Sequence, residues 1–398
     1  HCTMTAFLLL ALAVAPAQSI TVRGTQPRVA IDAGAVTLPE DAAFDMELAS
    51  LVVKFRDGVR ARVNQDGEVA ASGLARFQPK TQAGLSEITG IRFTPLVRST
   101  NAAIESLLAR AAGLSGRAQP DLAGLCRVEF DGAPTREQFL AIGEALRALP
   151  DVEFVTAMLD RTPPPEDYAP TTPDHVNRQG YIEMDPGLDY ESLWAVGANG
   201  AGVRFSDCEY GWDDLHEDLV DRSVVLEPGQ TVSPFVYTNG WDDHGTAVLG
   251  INSAPHNGYG VNGAAEASTV FVYPENSVEQ GSRRVTCIIN ALADSSPGDV
   301  VLLEMQTGFL GALGPAEADP AVWMTTRVGT DAGVVVVAAA GNGNANLDGT
   351  AYASYRALGD SGAIIVGAGS SNSSHNKLGF SSHGARVDVQ AWGQNVFT

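Results

Sequence analysis

The sequence predicts an α/β protein: a three-layer sandwich on a mostly parallel sheet, preceded by a small α+β domain. Three observations predict it. From about Tyr181 onward, short apolar runs alternate with helix-like stretches. The runs at 202–206, 269–273, 300–304, 334–339 and 363–366 include Val/Ile/Leu stretches typical of strands buried on both faces. A proline-rich polar stretch from Thr162 to Asp167, followed by Pro170 and Pro173, separates this region from the preceding one and reads as an accessible linker.

Before the linker, Leu51 to Phe55 is a candidate strand ending at the turn Asp57-Gly58, and Cys126 to Phe130 is another. Pro134-Thr135 opens a helix carrying Phe139, Leu140, Ile142, Leu146 and Leu149 at helical spacing. Val152 to Met158 closes a β-α-β unit, which suits a ferredoxin-like domain. After the linker, helices are expected at 244–251, 278–293 and 320–330.

The 398 residues suffice for roughly two to three domains, and 44% hydrophobic with 18% charged residues is ordinary for a globular chain. The 47 acids against 25 bases give a net charge of -22, which excludes nucleic acid or anionic lipid as partners of the overall field. Ala6 to Ala15 is an apolar run followed by Ala15-Pro16-Ala17, the pattern of a signal peptide and too short to span a bilayer. Secretion is therefore expected, with residues 1–17 removed. Cys126, Cys208 and Cys287 would then remain, an odd number that rules out a disulfide scaffold. No cysteine/histidine cluster suggests zinc.

The chemistry lies in three strings. Phe205-Ser206-Asp207 places an acid at the expected end of a strand. Asp243-His244-Gly245-Thr246 places an imidazole where a helix begins. Gly341-Asn342-Gly343 places an amide after a long buried strand. In open parallel sheets, functional groups gather where strands end and helices start. An acid, a base and an oxyanion donor are what acyl transfer needs besides a nucleophile.

These segments, with His216-Glu217-Asp218-Leu219 and Phe380-Ser381-Ser382-His383-Gly384, resemble the subtilisin-family serine peptidases (subtilases) over about residues 181–398. The resemblance implies a secreted endopeptidase in which Asp207 orients His244, His244 is the general base and Asn342 donates to the oxyanion; the acid-histidine-serine order is the family's own. It implies no required cofactor, with calcium as a stabilising ion in the family; Asp213, Asp214 and Asp242 are available oxygen donors without an assigned ligand set. It casts 18–161 as a propeptide that inhibits the enzyme in cis, 162–180 as a linker and 181–398 as the peptidase domain, acting on peptides or proteins. His216 reads as structural.

The sequence departs from the family in three places. Asp207-Cys208-Glu209 stands where the family has Asp-Thr/Ser-Gly, and Cys208 reads as either a buried small residue or a redox-sensitive thiol. Glu304, Met305 and Gln306 stand where a substrate-lining Ser-Leu-Gly is usual, and Glu304 is expected to favour basic side chains. No Gly-Thr-Ser-x-Ala string holds a nucleophile, so the serine is expected beyond Thr398. The competing expectation is an inactive homologue that binds peptides or partners. A dinucleotide-binding role is disfavoured, because the glycine-rich run 197–202 precedes a strand instead of following one.

Overall fold

A computed structural model describes residues 26–38, 49–64, 66–159, 173–309 and 312–398. The apolar N-terminal run and residues 162–172 of the proline-rich stretch lie outside the described residues.

The first half contains β1 (Ala49–Phe55), α1 (Pro79–Glu87), β2 (Ile91–Pro95), α2 (Asn101–Ser115), β3 (Leu125–Phe130), α3 (Arg136–Arg147) and β4 (Val152–Leu159). A capping box starts α3. Thr135 Oγ1 accepts from the Gln138 backbone N–H, and Gln138 Oε1 accepts from that of Thr135. Phe139 and Leu146 on this helix pack over Leu51, Val53 and Val155 of the sheet. The strands pair antiparallel in the order β2-β3-β1-β4, the ferredoxin-like arrangement. The helix α2 was not anticipated from the sequence, and it carries the contact with the second half.

The second half contains β5 (Arg204–Glu209), β6 (Val225–Leu226), α4 (Asp242–Ser253), β7 (Thr269–Pro274), α5 (Arg284–Asp294), β8 (Val300–Leu303), β9 (Gln306–Phe309), β10 (Ala312–Pro315), α6 (Pro320–Asp331), β11 (Val335–Ala339), β12 (Ile364–Gly369) and β13 (Val389–Trp392). Seven strands form one parallel sheet in the order β13-β12-β11-β8-β5-β7-β6. Side chains alternate between its faces. On one face Phe205, Val270, Val272 and Leu302 meet Val248 and Leu249 of α4. On the other, Val301, Leu303, Val336 and Ile365 meet Ile288 and Leu292 of α5 and Val322 and Val328 of α6. This is the expected sandwich.

Ile104, Leu107 and Ala111 of α2 extend that second core, so the two halves share one apolar cluster. Polar contacts border it. Thr286 Oγ1 donates to Leu96 O (2.6 Å), Arg127 to Ser282 O (2.7 Å) and Arg110 to Leu292 O (3.0 Å), and Arg117 pairs with Asp331. β4 also lies against β9.

Two boundaries differ from the sequence reading, each for a local reason. The helix expected over 278–293 begins at Arg284, because Asn276–Ser277 and Gly281–Ser282 first form a small hairpin. The strand expected over 202–206 runs Arg204–Glu209, because its ladder with β7 continues through Cys208↔Tyr273 to Glu209↔Pro274. The second shift relocates the functional end of the strand.

Candidate active site at the rim of the parallel sheet

Three adjacent strands, β11, β8 and β5, end along one rim of the sheet. Glu209 is the last residue of β5, Glu304 follows β8, and Gly341-Asn342-Gly343 follows β11. The helix α4 starts beside the first of these ends, with His244 in its first turn.

Glu209 and His244 form a direct pair. The Nδ1 of His244 lies 2.5 Å from Glu209 Oε2, with the glutamate side chain 3% and the imidazole 11% exposed. The other Glu209 oxygen accepts from the Tyr210 backbone N–H at 2.7 Å, and the Glu209 carbonyl accepts from Glu275 N at 2.8 Å. The carboxylate is thus fixed from both sides. Burial disfavours the imidazolium, but the charge and hydrogen bond of Glu209, with the added charges of Glu304 and Asp207, override it and push the His244 pKa up to about 10.

Gly245 makes this approach possible. A Cβ there would fall 1.9 Å from the Gly211 carbonyl oxygen and 2.7 Å from Glu209 Cγ, so only glycine lets α4 sit this close to the end of β5. Thr246 closes the same seam: its hydroxyl accepts from Asp213 N (2.8 Å) and donates to Asp242 O (2.8 Å).

Asp207, expected to orient His244, does not pair with it. Two residues before Glu209 on the same face, it sits inside the ladder between Leu302 and Val272. It is fully buried, and neither carboxyl oxygen has a hydrogen-bond partner. Desolvation, reinforced by the charges of Glu209 and Glu304, pushes its pKa well above the usual carboxylate value. The structure therefore corrects the assignment: the acid that holds the imidazole is Glu209. One signal in the sequence points there. Glu209 is the acid adjoining the turn Tyr210-Gly211, whereas Asp207 is still followed by a residue of core type, Cys208.

Asn342 lies at the rim as expected and is exposed; its backbone N–H donates to Gln306 Oε1 at 2.9 Å. The surrounding turn is tightly built. Gly341 has φ +88°, and a Cβ on it would strike the Gly314 backbone at 2.6 Å. Gly343 N donates to Leu313 O at 2.9 Å. Of the expected substrate-lining residues, Glu304 is exposed and Gln306 half-buried. Met305 is different: its side chain is buried in the core beneath the sheet, which corrects the expectation that it lines the cleft. Arg284, which the sequence did not single out, is buried and joins several of these segments by pairing with Glu275 at 2.9 Å and donating to Gln306 O at 3.3 Å.

His216 makes a local contact, its Nδ1 accepting from Asp218 N at 3.3 Å. Ser381 and Ser382 are engaged elsewhere. Ser381 Oγ donates to Ser382 O (3.1 Å) and accepts from Ala368 N (2.9 Å), and Ser382 Oγ donates to Leu313 O (3.0 Å). Among the described residues, no group of three or more His, Cys, Asp or Glu side chains is arranged to hold a metal ion, and no helix is long and apolar enough to cross a membrane.

A carboxylate-held imidazole at the carboxyl rim of a parallel sheet is the acid–base part of the arrangement that triad hydrolases use. Comparison with known proteins narrows this. The subtilase family, peptidase family S8, matches residues 221–398, a span beginning after Glu209. A subtilisin of Bacillus pumilus is 31% identical over 206 residues, covering 52% of this chain and 70% of that protein. Subtilisin E of Bacillus subtilis is also 31% identical over 206 residues, and this chain spans only 50% of its length. Among solved structures, a protease of Pseudoalteromonas arctica is 21% identical with a TM-score of 0.41, covering 56% of this chain and 73% of that one. The chain belongs to the subtilase family of serine peptidases.

Proposed function

We propose that the protein is a secreted subtilisin-like endopeptidase whose acid–base pair is Glu209 and His244. The single observation that carries this reading is the 2.5 Å contact between Glu209 Oε2 and His244 Nδ1. A carboxylate on Nδ1 orients the ring and stabilises its imidazolium; the neutral form, whose Nε2 takes the proton of a serine nucleophile, is populated as pH rises toward about 10. Asn342 is the oxyanion donor, at the turn after β11. Glu304 makes the cleft wall acidic and favours basic side chains in the substrate. Neither Ser381 nor Ser382 is the nucleophile in this reading.

The segment from Gln18 to about Arg161 acts as the enzyme's own propeptide and inhibitor. Its α2 shares a core with α5 and α6, and its last strand lies against β9 beside Gln306. Secretion is supported by the apolar run from Ala6 to Ala15.

Serine-directed phosphonates carrying an Arg or a Leu side chain, applied to the full-length protein, test the proposal. We expect stoichiometric labelling of one serine, faster with the Arg probe, and slowed when His244 is replaced by Gln. Absence of labelling, with peptides still bound, would leave a peptide-binding homologue instead. Faster labelling by the Leu probe would overturn the role given to Glu304.

A further inference from the structure

The Glu209–His244 pair and the Asn342 turn stand at the ends of β5 and β11, and β8 runs between these strands. The ladders that join the three strands stop short of the rim. The last pair between β5 and β8 is Asp207↔Leu302, and the last between β8 and β11 is Leu303↔Ala338. Glu209 and Asn342 both lie beyond those pairs, so the ladders of β8 do not set their separation.

A buried ion pair spans the gap. Arg284, the first residue of α5, is 1% exposed, and Glu275, which follows β7, is 2% exposed. The Nε and Nη2 of Arg284 each lie 2.9 Å from Glu275 Oε2. Glu275 also reaches the acid: its backbone N–H donates to Glu209 O at 2.8 Å. On the other side, Arg284 Nη1 donates to Gln306 O at 3.3 Å, and Gln306 Oε1 accepts from Asn342 N at 2.9 Å. The contacts run unbroken from Glu209 through Glu275, Arg284 and Gln306 to Asn342.

Stability does not account for this arrangement. A cation on the first residue of a helix sits at the positive end of the macrodipole. Taking two charges out of water offsets most or all of their attraction. What the pair supplies is geometry: a guanidinium fork holds a carboxylate and a carbonyl at fixed angles, which the single ammonium of a lysine does not. We propose that Arg284, held by Glu275, is a positioning residue that sets the distance between the Glu209–His244 pair and the oxyanion donor Asn342. The assignment rests on the peptidase reading and deepens it with a buried residue that acts through others: Glu275 on the acid side and Gln306 on the oxyanion side.

Substitutions in the full-length protein test this. Arg284→Lys keeps the charge that Glu275 needs but loses the fork. Arg284→Met/Glu275→Met replaces the pair by apolar side chains, a change that buried ion pairs often tolerate without loss of stability. Gln306→Leu cuts the tether to Asn342. We expect kcat on a peptide substrate to fall about a hundredfold in Arg284→Lys and in the double apolar variant, the loss that a displacement of about 1 Å produces. KM and Tm should stay near the parent's, as befits an interaction felt only in the transition state. Gln306→Leu combined with Arg284→Lys should lose less than the product of the two single losses, because both break one chain of contacts. Amide exchange followed by NMR reads the same contacts without turnover. In the parent the Asn342 N–H should be protected, and in Arg284→Lys it should exchange about tenfold faster. A parent that cleaves no peptide counts against the peptidase reading alone, and exchange still decides the role of Arg284. An unprotected Asn342 amide in the parent, which no folding failure of a variant can obscure, would overturn the proposal. So would parent-like kcat or parent-like Asn342 exchange in folded Arg284→Lys.

Discussion

The middle and the end of β5 carry the same chemical group and give it opposite fates. Asp207 and Glu209 are both carboxylic acids on one face of one strand, two residues apart. In the middle, neighbouring strands flank the acid on both sides, no donor reaches it and desolvation drives it toward the neutral form. At the end, the sheet gives way to the turn Tyr210-Gly211, a backbone N–H meets one oxygen and His244 meets the other. The difference shows that an acid in a parallel sheet becomes useful by standing at the strand's last residue, where a helix start can face it. The extra methylene of glutamate does not defeat the pairing, since the close seam at Gly245 brings the helix to it.

The largest break in this comparison should come from Glu209→Gln. The amide keeps the shape but removes the charge and offers an N–H₂ group that can force the wrong imidazole tautomer. We expect kcat of the full-length enzyme to fall about ten-thousand-fold, the loss seen when a triad carboxylate is made an amide. The His244 pKa should drop from about 10 toward its ordinary 6.5, followed by NMR titration of the ring. The linkage has a definite sign. A raised histidine pKa means the folded state holds the proton more tightly. The pair's stabilisation is therefore complete below pH 6.5 and is lost as pH rises through about 10. The stability gap between parent and Glu209→Gln should shrink across that window. An unchanged histidine titration would break the assignment of Glu209.

Gly245→Ala comes next. Its methyl group would meet the Gly211 carbonyl and Glu209 Cγ, so the helix must move away from the strand end. We expect a loss of about 1–3 kcal/mol in chemical denaturation, with kcat lowered because His244 leaves Glu209. An alanine variant of full stability and activity would show that the seam is looser than drawn here.

Much of this architecture was legible in the sequence. The Val/Ile/Leu runs located the central strands, because strands covered on both faces have no polar alternation to hide them. His244 and Asn342 stood out in the sequence because glycines beside them mark places where backbones approach closely. The acid was misread for an equally physical reason. Phe205-Ser206 looks like the end of an apolar run, while the ladder in fact extends to Glu209 through pairing with β7, a partner more than sixty residues away. Strand ends are set by the neighbouring strand as much as by local composition. The same holds for α2, whose apolar face is completed by α5 and α6, distant in sequence. The small hairpin ahead of α5 likewise hid the true start of that helix.

The smallest effect expected is at Asp207, and it is the most discriminating because the sequence favoured this residue. Asp207→Asn is nearly isosteric. Burial and the charges of Glu209 and Glu304 shift the native carboxyl toward its neutral form, whereas the amide carries no charge at any pH. Its folded pKa lies above the ordinary 3.8, so the folded state binds this proton more tightly than the unfolded chain does. Stability contributed by the acid is therefore present at low pH and declines as pH rises above 3.8 through the folded value. The asparagine variant has no such titration. Relative to the parent it should gain stability with rising pH, while kcat changes by less than about tenfold. Urea denaturation of both proteins across pH 4–8 reads the first quantity, and turnover of a peptide substrate reads the second. A collapse of kcat to the level of Glu209→Gln would return the catalytic role to the middle of the strand.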